Sequence, residues 1–222
     1  MVLLKKMGLL VMRKDKKNKM RVLLACEESQ AVCMEFRKLG HEAFSCDIMD
    51  CTGPNPKWHL KGDVLEIINK GWDLMIAFPP CTHLAVSGSR HFKTKIEDGR
   101  QQQGIDFFMK MVHAPIEKIA IENPIGIMSS VYRKPDQIIH PYYFGDSYSK
   151  STCLWLKNLN PLVHVKSSPL FPEEITHVDK GEFVTFSSGK RMAKWYNEAS
   201  GNGHLRSKTF PGIAKAMAVQ WG

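Results

Sequence analysis

The sequence predicts one doubly wound α/β domain. Three observations carry this reading: apolar runs of strand length recur along the chain, apolar residues at helical spacing separate several of them, and polar or reactive residues follow four successive runs. A continuously apolar strand suits a parallel sheet covered by helices on both faces, because both rows of side chains are then buried. Strands of that kind are joined by right-handed crossovers. A chain of 222 residues has material for one substantial core and little beyond it.

Arg21–Cys26 (RVLLAC) is the first strand-like run. Val32, Cys33, Phe36 and Leu39 then recur at helical spacing, and Gly40 offers a stop. Ala43–Cys46 reads as a second strand ending at Asp47, followed by a polar, proline-containing loop over Thr52–Trp58 and a short helix over Val64–Asn69. Trp72–Phe78 (WDLMIAF) is the strongest candidate for a central strand. Ile105, Phe108, Met109 and Val112 mark one face of a helix across Glu97–His113. Lys118–Ile121, Ile138–Tyr143 and Thr152–Leu156 are further strand candidates, and Ile213–Val219 is a helix entered through Pro211 and Gly212. The stretch 162–203 is polar and less regular, as a lid or small insertion would be.

The formal net charge of +9 suggests a polyanionic partner, but its placement weakens the inference. Residues 1–21 hold eight Lys or Arg and one Asp, a net +7, whereas residues 22–222 hold twenty-three basic and twenty-one acidic residues, a net +2. Residues 1–20 therefore read as a basic flexible tail, and 21–222 as the folded domain. Lys5 and Lys6 interrupt the only apolar stretch near the N-terminus, so a secretory signal is not expected, nor is a membrane span. Six cysteines without a secretion signal argue against a disulfide scaffold. Cys46, Cys51 and His59 are the nearest approach to a metal set, without a tight Cys-x2-Cys pair, and no metal is expected.

In a doubly wound sheet, ligands bind outside the carboxyl ends of the strands. Glu27 and Glu28, Asp47, Pro79–Cys81 and Glu122–Pro124 all fall there. Pro79 and Pro80 lack the N–H that a ladder needs, so they end the central strand and stiffen the turn that presents Cys81. A rigidly presented cysteine suits a nucleophile; a buried cysteine at a strand end is the plainer reading. Glu122, after the next strand, could exchange a proton across the same cleft, while Asn123 and Pro124 also make a local turn.

The Pro80-Cys81 and Glu122-Asn123 pairs, each behind an apolar strand, resemble the catalytic motifs of the DNA cytosine-C5 methyltransferases. That resemblance implies a Rossmann-like, S-adenosylmethionine-binding fold, with Cys81 adding to C6 of cytosine and Glu122 holding and protonating N3. It implies cofactor contacts for Cys26, Glu27, Glu28 and Pro79, ribose contact for Asp47 and adenine contact for Asp63 of Gly62-Asp63. Ser87-Gly88 resembles a Ser and Gly shortly after the family's Pro-Cys, and Phe210–Ala216 resembles its last motif. Together with Thr152-Cys-Leu-Trp-Leu-Lys157, these residues are similar to small, often phage-encoded members. The likeness runs over 21–222, and it implies action on DNA in a bacterial host cytoplasm, with no membrane or protein partner.

Departures from the family pattern are equally specific. Ala25-Cys-Glu-Glu-Ser-Gln30 stands where a glycine-rich loop is usual, so easy positive φ is not expected there. Either Glu28 meets the cofactor ammonium or Ser29 caps the helix that follows. Thr82 replaces a usual Gln, and Lys150 of Ser149–Cys153 is the nearest stand-in for a base-holding Arg. Basic residues Lys190, Arg191 and Arg206, beside Trp195, are candidates for phosphate contact and stacking. The short insertion leaves DNA, RNA and a pyrimidine nucleotide as substrates, and a catalytically altered nucleic-acid-binding protein as a rival. An amino-methyltransferase would need Asp or Asn before Pro79 and an aromatic after Pro80. A thiol hydrolase would need His83 or His91 as base to Cys81.

Overall fold

The computed structural model describes residues 19–168 and 174–222; the basic N-terminal segment and residues 169–173 of the insertion lie outside the described residues. The strands β1 (Arg21–Ala25), β2 (Glu42–Asp47), β3 (His59–Lys61), β4 (Leu74–Ala77) and β5 (Lys118–Pro124) pair in parallel, while β7 (Thr152–Lys157) runs antiparallel to β5 and to β6 (Gln137–Ile139). Their order across the sheet is β3-β2-β1-β4-β5-β7-β6. This is the predicted α/β architecture, with a mostly parallel seven-stranded sheet compatible with a Rossmann-like fold.

Alternation along each strand divides the core into two layers. Val22, Leu24, Leu74 and Ile76 face α1 (Ala31–Lys38) and the C-terminal helix, which contribute Phe36, Met217 and Trp221. Leu23, Ala25, Met75 and Ala77 face the opposite layer, built on Phe108 and Met111. That layer includes α2 (Phe92–Glu97) and α3 (Arg100–Val112), followed beyond β5 by the single turn α4 (Met128–Val131). Phe108 meets the indole of Trp155 edge-on at 5.2 Å, a pairing that adds about 1 kcal/mol to the burial of both rings.

Several elements depart from the sequence expectation for identifiable reasons. The predicted helix over Glu97–His113 is broken at Gly99, whose φ of +79° ends α2, and Asp98 then accepts from the amide of Arg100. Val64–Asn69 forms a 3-10 turn at Val64–Glu66, capped by Asp63 at 2.9 Å from Leu65 N, and no longer helix; the Ile67 carbonyl accepts from both Lys70 N and the Trp72 indole. The predicted strand Ile138–Tyr143 stops at Ile139, because Pro141 opens a 3-10 turn over Pro141–Phe144. β5 runs past Ile121 to Pro124, since β7 continues to pair with it after β4 has ended. Glu122 and Asn123 therefore sit on a strand and not on a loop behind it.

The insertion holds a hairpin of β8 (Phe183–Thr185) and β9 (Arg191–Ala193), then α5 (Lys194–Glu198) and α6 (Gly203–Ser207). It leads into α7 (Pro211–Trp221), with Pro at its first turn as expected. The Trp195 indole donates to Ser149 O at 3.2 Å and meets Phe210 edge-on, which fastens the insertion to the main domain. Among the described residues, no helix is long and apolar enough to cross a membrane.

The β1–α1 loop achieves positive φ without glycine. Cys26 (φ 60°) and Gln30 (φ 59°) both occupy the left-handed region, against the expectation for a glycine-free segment. Gln30 is fixed there by two bonds to the Asn55 backbone, one donated by its amide at 2.8 Å and one accepted at 2.9 Å. The α1 terminus is capped by Glu27, whose carboxylate accepts from Val32 N at 2.6 Å and Cys33 N at 3.2 Å; Ser29 makes only a long contact with Ala31 N.

Glu27 is 3% exposed, and its burial pushes the carboxyl up to about 7 against the two backbone bonds that lower it. Folding therefore favours proton uptake. The associated stability is fully present below the unfolded carboxyl value and is lost as pH rises through about 7, an effect on the order of 3 kcal/mol. Denaturant titrations at several pH values should show that decline in the wild type. Glu27→Gln should flatten it and cost about 1 kcal/mol at low pH, because the amide nitrogen cannot accept from the second N–H.

Candidate active site

The chain leaves β1 through α1 to β2, then returns to β4 on the other side of β1. The strand order thus reverses between β1 and β4, and a crevice opens at their carboxyl ends. A cavity of about 630 Å³ lies there, within the range of small-molecule sites. One wall is the β1 loop, with Cys26, Glu27 and Glu28; a second is Pro79, Pro80 and Cys81 after β4; a third is Glu122 and Asn123 at the end of β5. Ser87, Lys150, Arg191 and Arg206 complete the set of predicted residues at its surface.

Three predicted residues stand elsewhere. Asp47 accepts from Met49 N and Asp63 from Leu65 N, and neither lines the cavity. Both remain near it, because their charges add to burial in pushing the Cys26 thiol up to about 12. Lys190 lies in the exposed turn of the β8–β9 hairpin, where its carbonyl accepts from Phe186 N, so the structure does not bring it to the cavity. His83 and His91 are also absent from the wall; His91 pairs with Arg90 at 2.9 Å. Cys46, Cys51 and His59 turn to separate partners: Gly62 O, Gly53 O, and Ser45 Oγ with Met49 O.

The Cys81 and Glu122 walls are tied together. Asn123 is 2% exposed and donates its side-chain amide to Pro79 O at 2.8 Å. Val86 N donates to Ile125 O at 3.0 Å, and Ile127 N to Leu84 O at 2.9 Å. This close approach needs Gly126, where any Cβ would overlap the Leu84 carbonyl. Cys81 itself begins a tight turn, its carbonyl accepting from Leu84 N at 3.0 Å and Ala85 N at 2.9 Å.

Electrostatically, the site sets one sign against the other. Burial raises the Cys81 thiol, the Glu122 charge raises it further, and Lys150 and Lys95 oppose the change. Glu122 is raised by burial, against the pull of Lys150 and a hydrogen bond with Thr152. A thiol on the turn after β4 and a carboxylic acid on the adjacent β5 can add a nucleophile to an electrophilic ring atom while protonating another.

Two features of the site carried little signal in the sequence. Lys95 is 7% exposed and lies at the cavity wall, yet nothing in Phe92-Lys-Thr-Lys95 distinguishes it from an exposed lysine. Phe183 and Tyr196 lie under the guanidinium groups of Arg191 and Arg206, at 5.1 and 4.0 Å. The basic-aromatic composition of the insertion hinted at such pairs, but not at their partners.

Comparison with protein-family models and with curated protein sequences finds no match for this chain.

The electrostatics can be read directly from the thiol. Glu122→Gln removes a charge that disfavours the thiolate, so Cys81 should react faster with iodoacetamide near pH 8. Lys150→Met removes a favouring charge and should slow it. Each change should be about three- to tenfold, measured by mass spectrometry of the Cys81 peptide.

Proposed function

We propose that the protein transfers a methyl group from S-adenosylmethionine to C5 of cytosine in DNA through a covalent adduct with Cys81. The observation that carries this reading is the convergence of Cys81 and Glu122 on one cavity at the switch point, with Asn123 bound to Pro79 between them. Their chain order and the Pro80-Cys81 and Glu122-Asn123 pairs are the features on which the resemblance rests, while the β1 loop departs from the family pattern in residue type.

The β1 side of the cavity fits a cofactor of this type. Positive φ at Cys26 and Gln30 bends the backbone as a glycine loop would. Glu28 offers a carboxylate at the wall for an ammonium group; Asp47 and Asp63 stand off the wall but close enough to act on Cys26, where a cofactor reaching past that residue would present its ribose hydroxyls and adenine amino group. When bound there, S-adenosylmethionine supplies the methyl group.

The chain's own residues make C5 able to receive it. The Cys81 thiolate forms a bond to C6 while Glu122 gives its proton to N3, and the ring electrons move toward C5. After methylation, water takes the C5 proton, the electron pair left behind expels the Cys81 thiolate from C6, and the N3 proton returns to Glu122. The raised Glu122 carboxyl favours the protonated form that the first step needs. The raised thiol disfavours the thiolate, and Lys150 and Lys95 reduce that penalty.

A nucleic-acid substrate is supported by the mouth of the cavity. Lys150, Arg191 and Arg206 give positive charge for phosphate, and Phe183 and Tyr196 hold the two guanidinium planes. A cytosine in duplex DNA would have to leave the stack to reach Cys81.

Incubation with methyl-labelled S-adenosylmethionine and, separately, DNA, RNA and cytidine nucleotides tests the reading. Label is expected at C5 of cytosine in DNA. Label in RNA or nucleotide alone would change the substrate, and no label in any of them, with DNA still bound, would favour a binding protein. Cys81→Ala should abolish transfer with cofactor binding nearly intact. Glu122→Gln should lower the rate by about 10²- to 10⁴-fold.

A further inference from the structure

We propose that Lys95 is a positioning residue for Cys81, its buried ammonium holding the Thr82 carbonyl and so fixing the turn that presents the thiol. The inference rests on the proposed role of Cys81 as nucleophile and adds to the electrostatic effect of Lys95 on the thiol a hold on the backbone that presents it.

Lys95 lies on α2 with 7% of its surface exposed, and its Nζ donates to Thr82 O at 2.6 Å. Among the described residues it forms no ion pair. The Phe92 ring lies 5.9 Å from Nζ, and the bare Gly88 backbone leaves it room: a Cβ there would stand 3.1 Å from the ammonium. With no carboxylate partner, the ammonium at the cavity wall has the Thr82 carbonyl as its hydrogen-bond acceptor, so charge and hydrogen bond are both directed at the turn that carries Cys81.

The Cys81 carbonyl is occupied by the amides of Leu84 and Ala85, leaving the Thr82 carbonyl to point out of the turn toward Lys95. On the other side of Cys81, the Pro79 carbonyl is held by Asn123. The cysteine is thus bracketed by two carbonyls, each gripped by a buried side chain from a different element. Orientation of this kind is what makes a bound nucleophile effective. The same ammonium is near enough to act on the thiol, with Lys150 in the same sense and Glu122 of β5 in the opposite one. Glu27, Glu28, Arg191, Arg206 and Lys208 are the other charged residues around this cavity.

The test is the alkylation of Cys81 by iodoacetamide between about pH 6.5 and 10.5, followed by mass spectrometry in the full chain without cofactor or nucleic acid. Amide hydrogen exchange at Leu84 and Ala85 is followed in parallel. Lys95→Met should move the Cys81 titration to higher pH, slow alkylation near pH 8 by about three- to tenfold, and speed exchange at both amides. Lys95→Arg, which keeps the charge and a donor, should recover a substantial part of both effects. A folded Lys95→Met protein with Cys81 reactivity within about twofold of wild type and unchanged exchange overturns the proposal. Should Lys95→Met fail to fold, Lys95→Gln carries the test: a neutral, shorter side chain loses both the charge and the reach to Thr82 O, so it should produce the same changes, and unchanged behaviour overturns the proposal. A normal Lys95 effect without methyl transfer to any substrate would instead remove the proposed function alone.

Discussion

The bond from the Asn123 side chain to the Pro79 carbonyl is the constraint on which the site depends. β4 ends at Ala77, and the two prolines after it have no N–H with which to continue a ladder. β5 continues for three residues beyond its last pairing with β4, held there by β7. Without a tie, the Cys81 turn and the Glu122 strand end would be neighbours only at their bases. Asn123 closes the gap from within the core, where an unmatched carbonyl or amide would cost about 1–3 kcal/mol. The two backbone bonds between Leu84–Val86 and Ile125–Ile127, made possible by Gly126, extend the tie past both reactive groups.

That rigidity has an electrostatic consequence. Burial pushes both Cys81 and Glu122 toward their neutral forms, and each carries a proton more readily than it would in water. The proposed chemistry needs the protonated acid, which burial favours, and the ionised thiol, which burial disfavours. Lys95 and Lys150 act against the burial of the thiol from two sides, while only Lys150 is among the charges acting on Glu122. Two cations at different places therefore allow the thiol to be favoured without equally depleting the acid. A single lysine between the two groups would couple them more tightly.

Much of this arrangement was legible in the sequence because it follows from periodicity and from backbone chemistry. Val22–Ala25 and Leu74–Ala77 are apolar on both faces, which reads as buried parallel strand, and two prolines before Cys81 read as a rigid end. Short elements left no such trace. β3, β8 and β9 have three residues each, too few to establish a period. The left-handed conformations of Cys26 and Gln30 were hidden because they are imposed by tertiary bonds, chiefly the clamp between Gln30 and Asn55, and not by residue type. The position of Glu122 within β5 was likewise set by its antiparallel neighbour. Lys95 was the least visible: a lysine's burial depends on the carbonyl it meets, and Thr82 is thirteen residues away.

The insertion limits what a substrate can be asked to reveal. Its described part presents two guanidinium groups at the cavity, each over an aromatic ring, and Arg206 is further fixed by donating to Tyr196 O at 2.8 Å. Trp195 binds the carbonyl of Ser149, next to Lys150, so the insertion is joined through one segment to a cation that acts on both Cys81 and Glu122. Fixed positive charge of this kind recognises phosphate whatever the base. Reading several bases would require further side chains carried to groove edges on a longer scaffold. On the proposed reading, selectivity therefore arises mainly inside the cavity, where an unpaired pyrimidine must fit between Cys81 and Glu122, and less from the sequence around it.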